Sequence, residues 1–533
     1  MTITQDPWET LHTSALLGTD RRPLPATALP LADAVDQGDP ATALLELAAL
    51  AAVRRRAGAL PVPADGPPGP PAAEDARPEL PEPAARRLAV LLSGRTGGGT
   101  GAGGTLANLS ELLPQWLATA RASGLRPPTA LIPGLLDAAR ARSELRADAV
   151  ALAGPPGRWL AEQNPDWRFV LRTTAPELPQ RPTDDRLWHE GLFAERVTHL
   201  TQLRRRDPAA GLELLRGTWS TERAEDRLLF LDALQDGLSP ADEPFLEAAL
   251  GDRSKNVRAT AAELLSTLPG SALARRMAER ARAAVRLADT GTHLLVTPPT
   301  ACDAQMQRDG IAPKSPTGRG ERAWWFGELV AAAPLSLWPE STGLTPGQLL
   351  ALRVGDSIDE TSSSWADDLR EAWARAAVRQ QDADWARALL GPAPAPVPSG
   401  RGARTRALRT TGAPAKLLAV LPPEERAVWT AAFITVHGLG EAFQLLGACA
   451  TPWTPPLSTA VVTALARAAA SGAYPWSHSG VLGMTERALA PETAAAVEEL
   501  AAGAAPDSAW SETFSRLAGT LRFRAAMLAE LAG

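Results

Sequence analysis

Ser254-Lys-Asn-Val-Arg-Ala-Thr-Ala-Ala-Glu-Leu-Leu-Ser-Thr-Leu268 and, after Pro269-Gly270, Ser271-Ala-Leu-Ala-Arg-Arg-Met-Ala-Glu-Arg-Ala-Arg-Ala-Ala-Val-Arg-Leu-Ala288 decide the fold class. In the first segment Val257, Ala261, Leu264 and Leu268 are spaced to form one apolar stripe on a helix. In the second, Leu273, Met277, Ala281, Ala284 and Ala288 do the same. Ser254 and Ser271 stand where a hydroxyl can cap the first turn. Two helices joined by so short a loop must pack antiparallel.

Working toward the N-terminus, Asp207, Ser220 and Ser239 continue the punctuation. Asp207 and Ser239 are followed by Pro, which suits the first helical position. Ser239-Pro-Ala-Asp242 has the shape of a capping box with Asp in place of Glu. The same grammar predicts helices from Pro7 to Gly18 and, capped by Asp39, up to Gly58. Further helices are expected at about 105–122, 129–153 and 157–163. Residues 61–83 are too rich in Pro for helix or central strand and read as a linker or surface excursion. Residues 94–104 are nearly all Gly, and residues 392–400 form a second Pro-rich linker. Between 291 and 322 no period survives, and a loop of that length inside a compact domain is often functional.

Composition agrees with helix. Apolar content is 45%, carried by Ala and Leu, the strongest apolar helix formers, with one Tyr in 533 residues. The net charge of −6 argues against a nucleic-acid binder, which normally shows a basic domain. Two distant cysteines, Cys302 and Cys449, build neither a disulfide framework nor a zinc site. The opening MTITQDPWETL has no signal-peptide pattern, and no uncharged apolar run of about 18 residues occurs. A cytoplasmic protein without membrane contact is therefore expected.

Tests for chemistry return no catalytic constellation. Gly99, Gly101 and Gly104 satisfy a dinucleotide-type glycine spacing, but the acid expected about 20 residues later is missing. Read as a phosphate loop, the run lacks its Lys. The six histidines form no His-Glu-x-x-His helix. No cofactor, metal or enzymatic activity is expected. Two candidate interaction surfaces remain. Arg275, Arg282 and Arg286, with Glu279, fall on one face of the helix after Ser271. The 291–322 loop offers Asp309, Gly310 and Lys314 beside Arg322 and Trp324, residue types that serve as binding anchors. Trp365, Trp373, Trp385, Trp429 and Trp510 read as core.

Asp252-Arg-Ser-Lys-Asn-Val257-Arg258, with Ala261, Ala262, Leu264 and Leu265, resembles the turn and second helix of a HEAT repeat. The resemblance implies that the Asp caps the helix, the Val is core and the Arg reaches into an inter-repeat ladder, with a repeat of about 40 residues. The fold expected is all-α, a HEAT-like α-solenoid array with flanking helical lobes. Its parts are an N-terminal lobe (1–154) carrying both insertions, repeats (155–290), the long loop (291–322) and a C-terminal lobe (323–533).

Several further strings resemble an uncharacterised bacterial family with helical-repeat character. They are Ala15-Leu-Leu-Gly-Thr-Asp-Arg21, Asp242-Glu-Pro-Phe-Leu-Glu247, Leu268-Pro269, Asp309-Gly-Ile311, Gly320-Glu-Arg-Ala323 and Pro334-Leu335 with Trp338. That family is associated with gene clusters encoding a MoxR-type AAA ATPase, a von Willebrand A-domain protein and a SWIM zinc-finger protein. The resemblance implies a protein partner of that class, and with it a non-catalytic scaffold or adaptor. The alternative is a nucleic-acid-binding repeat protein of the repair type, using the arginine strip.

Overall fold

The computed structural model describes residues 7–21, 24, 35–57, 70–93, 109–173, 185–316, 318, 320–356, 365–395 and 414–532. Among these residues the chain is mostly α-helical, with one small three-stranded sheet. It falls into two compact units, Met1–Ala72 and Ala73–Gly533. The Gly-rich run 94–104 lies outside the described residues, as does 396–400 of the second Pro-rich linker.

In the first unit the helices Pro7–Leu17 and Pro40–Ala57 pack together, burying Leu11, Ala43 and Leu47 with Val35. Asp39 caps the second helix as expected, accepting from the Ala41 N–H at 3.1 Å and the Thr42 hydroxyl at 2.6 Å.

The second unit opens with a helical lobe around Trp116, built by Glu82–Ser93, Leu113–Ala122, Ile132–Ala141 and Arg146–Gln163. The single helix expected at 129–153 is broken, because Arg142 turns extended after Ala141. A second break falls at Gly154, with φ +54°. A Cβ there would lie 2.3 Å from Arg77 Nη2, so only glycine fits. Arg77 belongs to the Pro-rich excursion, and its guanidinium donates to the carbonyls of Ala151 and Leu152, which the break leaves unpaired. The lobe is closed by the last helix, Ala509–Ala532, which contributes Met527 and Leu531 to its core.

The centre is a run of three helix pairs. Their first helices, Phe193–Arg206, Ala224–Ala233 and Lys255–Ser266, begin 31 residues apart. Each carries an arginine at its fourth position: Arg196, Arg227 and Arg258. Neighbouring first helices pack on one another. Arg196 pairs with Glu222 and lies over the Trp188 ring; Arg227 pairs with Asp252 and lies over Trp219. Trp188 and Trp219 are themselves 31 positions apart.

Asp207 and Ser271 cap as expected, and Ser239 and Asp242 form the capping box. Ser220 does not cap. It sits inside a 3-10 turn, and the next helix starts after Arg223. Arg258 donates to the backbone carbonyls of Asp252 and Arg253, so it braces its own turn. The side chain that reaches Asp252 from the preceding pair is Arg227.

The helix after Ser271 ends at Ala284, four residues short of the expected Ala288. Val285 turns extended and starts strand β1 (Val285–Leu287), which pairs antiparallel with β2 (His293–Val296). β2 in turn pairs parallel with β3 (Arg353–Asp356). The sheet escaped the periodicity because each strand has three or four residues, too few to show alternation. One core then runs from Trp188 to Leu521, including a Trp338–Trp373–Trp385 chain of ring contacts. Of the tryptophans expected in the core, Trp373, Trp385, Trp429 and Trp510 are buried, and Trp365 is half-buried against Phe326.

Candidate functional site

The 291–322 segment is strapped to the helix Ala272–Ala284. Asp309, expected on an interaction surface, is buried. Both its oxygens accept from Arg276, the closest at 2.8 Å, and Arg276 also reaches Glu247. Gly310 follows with φ +92°, and a Cβ there would lie 2.5 Å from the Ala262 methyl. It lets the loop touch the preceding helix. Burial works against the charge on Arg276, but its hydrogen bonds to Asp309 and Glu247 win and raise its pKa.

Trp324 and Trp325 also serve the strap. Their indole N–H groups donate to the carbonyls of Ala312 and Pro313, each at 3.1 Å. Arg322 is exposed and leans toward the Pro298 and Pro299 carbonyls at 3.4 Å, and Lys314 is exposed. Of the loop residues, then, Arg322 and Lys314 face solvent, Trp324 is half-buried, and Asp309 and Gly310 build structure.

The arginine strip is not one helical face. Arg275 and Arg282 are exposed on the helix, with Arg275 turned back to the Gly270 carbonyl at 2.6 Å. Arg286 has left the helix for β1, opposite Leu295. The arginines of this helix that engage other elements are Arg276 and Arg280, the latter bonded to Gln305.

Burial pushes both cysteine thiols up, Cys302 and Cys449 alike, so neither is an activated nucleophile. The surface carries shallow cavities. One, of about 410 Å3, lies between the helices Ala383–Leu390 and Pro423–His437, walled by Leu390, Leu421, Val428 and Trp429 with Glu424 on its rim. Another, of about 380 Å3, holds Lys416 beside the Arg379–Glu263 ion pair.

A different surface stands out by its side chains. The chain has sixteen Trp, nine Phe and one Tyr, and the structure describes all of them. Only Phe443, Tyr474 and Trp476 are exposed, at 50%, 66% and 74%. Two of the three come together. The Tyr474 and Trp476 rings lie 6.5 Å apart at 23°, and the Phe443 ring edge would be 3.0 Å from a Cβ at Gly480, one turn beyond Trp476. Leaving so much aromatic surface in water is costly for a single chain and typical of a binding anchor. The sequence carried a signal for it: between Glu441 and Glu486 the only charged residue is Arg467, in a chain that is 21% charged. Reading for catalytic patterns passes over such a stretch.

The class defined is a mostly α-helical protein, with arginine-linked helix pairs at its centre and one aromatic surface patch. The chain belongs to DUF5691, a family of unknown function whose profile matches residues 10–531. No curated protein and no solved structure matches it. Among the described residues no helix is long and apolar enough to cross a membrane.

Proposed function

We propose that this chain is a non-catalytic protein-binding scaffold or adaptor built on HEAT-like helical repeats. The resemblance drawn from its sequence strings points further, to a cytoplasmic AAA ATPase and von Willebrand A-domain system as the setting. Helix pairs at a 31-residue spacing, linked by Arg196–Glu222 and Arg227–Asp252, support the repeat reading. Stacked pairs give a rigid frame with an extended surface. The observation that carries the binding reading is the exposure of Phe443, Tyr474 and Trp476, the last two in ring contact, within a stretch of chain that holds one charged residue. Interface centres are enriched in aromatic residues and depleted of charge.

The nucleic-acid alternative has less support, because Arg286 departs from the helix that carries Arg275 and Arg282. A pull-down of the tagged chain from native lysate, with and without nuclease, tests the proposal. A protein partner that survives nuclease and is lost with Trp476→Ala is the expected result. Partners that leave with the nucleic acid would overturn it.

A further inference from the structure

We propose that the hollow between the helices Ala383–Leu390 and Pro423–His437 is a binding site for a small apolar ammonium, a primary amine carried on a hydrocarbon body. Such a site is additional to the scaffold reading and does not depend on it.

Size and lining come first. The hollow measures about 410 Å3, within the range of about 300–1,000 Å3 usual for small-molecule sites. Leu390, Leu421 and Trp429 line it from buried positions, and Pro392 and Val428 from exposed ones. Val428 leaves 58% of its surface in water. A hydrocarbon body seated here takes apolar surface out of water on both sides of the contact.

The hydrogen-bonding groups at the mouth decide the polar end of the ligand. Both side-chain donors among the lining residues are already engaged. The Arg387 guanidinium forks onto the Glu425 carboxylate, at 2.9 and 3.0 Å, and its third nitrogen donates to Asp384 at 2.7 Å. The Trp429 indole N–H donates to the Gly391 carbonyl at 3.3 Å. Acceptors are left over. The Glu424 carboxylate is exposed at the mouth with no partner among the described residues. Pro392, just beyond the helix Ala383–Leu390, has no N–H to return to its last carbonyls. The polar group that fits is therefore a donor.

Charge agrees. Asp384, Glu424 and Glu425 set three negative charges against the one positive charge of Arg387. The guanidinium holds Glu425 below its ordinary carboxylate range, so that group stays ionised. Arg426, next along the helix, turns its guanidinium to the Leu421 and Ala448 carbonyls. The N-terminal end of Pro423–His437 adds only about half a positive charge. The mouth is thus net negative. A cation gains from it, while an anion would lose water without gaining a counter-charge.

The site is also held in advance. Gly391 ends the first helix at φ +72°, a conformation that favours glycine, and its carbonyl is fixed by the bond from Trp429. The Trp429 ring stacks on Phe433, with centroids 5.6 Å apart and planes at 17°. A pocket ordered before binding keeps more of its contact energy as affinity.

The test is a ligand-observed NMR titration of the full chain with phenylbutylammonium, phenylbutanol and phenylbutanoate, which share one hydrocarbon body and differ in the polar end. Saturable binding is expected, tightest for the ammonium and weakest for the carboxylate. The ammonium should bind about fivefold tighter than the alcohol, the worth of one good exposed ion pair. Glu424→Gln should remove that advantage and leave the alcohol unchanged. Val428→Ser should weaken ammonium and alcohol alike, about threefold, by taking away apolar wall. Both side chains are exposed, so the variants should keep the wild-type circular dichroism and melting temperature. Equal affinity for the three ligands, no saturation, or indifference of the ammonium to either substitution would overturn the proposal.

Discussion

Arg204 and Asp242 form a bidentate ion pair in the interior, with Nη1–Oδ1 2.8 Å and Nη2–Oδ2 3.0 Å and both side chains out of contact with water. The remaining guanidinium bonds go to the carbonyls of Asp236, Pro208 and Leu234. Gly211 packs against the arginine stem, where a Cβ would lie 2.8 Å from its Cδ. One side chain thus ties the first helix pair to the turn before Glu243–Ala249.

Removing one partner leaves a buried charge alone. Asp242→Ala is expected to cost about 3–5 kcal/mol in urea unfolding, the usual result for a broken buried pair. The double variant Arg204→Met/Asp242→Leu should recover only a fraction of that, since it orphans three carbonyls that the arginine satisfies. Full recovery in the double variant would show that those carbonyls find other donors.

The 291–322 strap makes a contrast within one loop. Gly310→Ala forces a Cβ against Ala262 and onto a backbone with φ +92°, and Asp309→Ala strips Arg276 of its buried partner. Each should lower stability by about 1–3 kcal/mol. Lys314→Ala, at an exposed side chain with no ion pair among the described residues, should change stability in urea by less than about 0.5 kcal/mol. A neutral Gly310→Ala would mean that the strap shifts without cost.

Much of the helical grammar was legible in the residues. Asp207, Ser271 and the Ser239–Asp242 box read correctly because a cap is a local contact between neighbours in sequence. Ser220 does not cap because it lies inside the 3-10 turn Trp219–Thr221, where Trp219 packs on Phe245. The sheet failed because strands of three and four residues carry no usable period. The 31-residue spacing was present in Trp188 and Trp219 and in Arg196, Arg227 and Arg258, but a search near 40 residues passes over it. Of the expected surface residues, Asp309 and Gly310 are residue types common on binding surfaces. The same types serve a buried strap, and only burial separates the two uses.

An ion pair joins the last helix to the lobe. Arg87 donates to both oxygens of Glu530, at 2.5 and 2.6 Å, and lies over the Phe523 ring. The guanidinium holds the Glu530 carboxyl below its ordinary value of 4.5. A carboxylate whose folded pKa is depressed adds stability above its unfolded pKa, and the gain is lost as pH falls through the folded one. Glu530→Gln should therefore cost about 1 kcal/mol at pH ~7, as for a partly buried pair. The gap to wild type should begin to narrow as pH falls below the unfolded value of about 4.5, and should close only below the depressed folded pKa, where the wild-type carboxyl is neutral too. A gap that persists in acid would mean that the substituted amide disturbs packing rather than charge.

The arginine ladder makes the most demanding prediction, since it concerns coupling rather than single losses. Arg196 grips the Glu222 carboxylate, while Arg227 donates to the backbone carbonyl of the same Glu222 at 2.9 Å before reaching Asp252. Adjacent pairs therefore share a residue, and side chains joined through one partner couple in their effect on stability. Arg196→Ala and Arg227→Ala should each destabilise, and Lys should not rescue either. A compact ammonium can neither fork onto a carboxylate nor stack on Trp188 or Trp219 as a guanidinium does. The double variant should depart from additivity by about 0.5–3 kcal/mol, because loss of the first grip already frees the Glu222 backbone that the second one braces. Arg196→Ala combined with Arg276→Ala, which shares no partner with it, should be additive to within about 0.5 kcal/mol. Urea unfolding of the three single variants and the two doubles decides the matter. Equal coupling in both doubles would mean that the helix pairs unfold as one block rather than as neighbours.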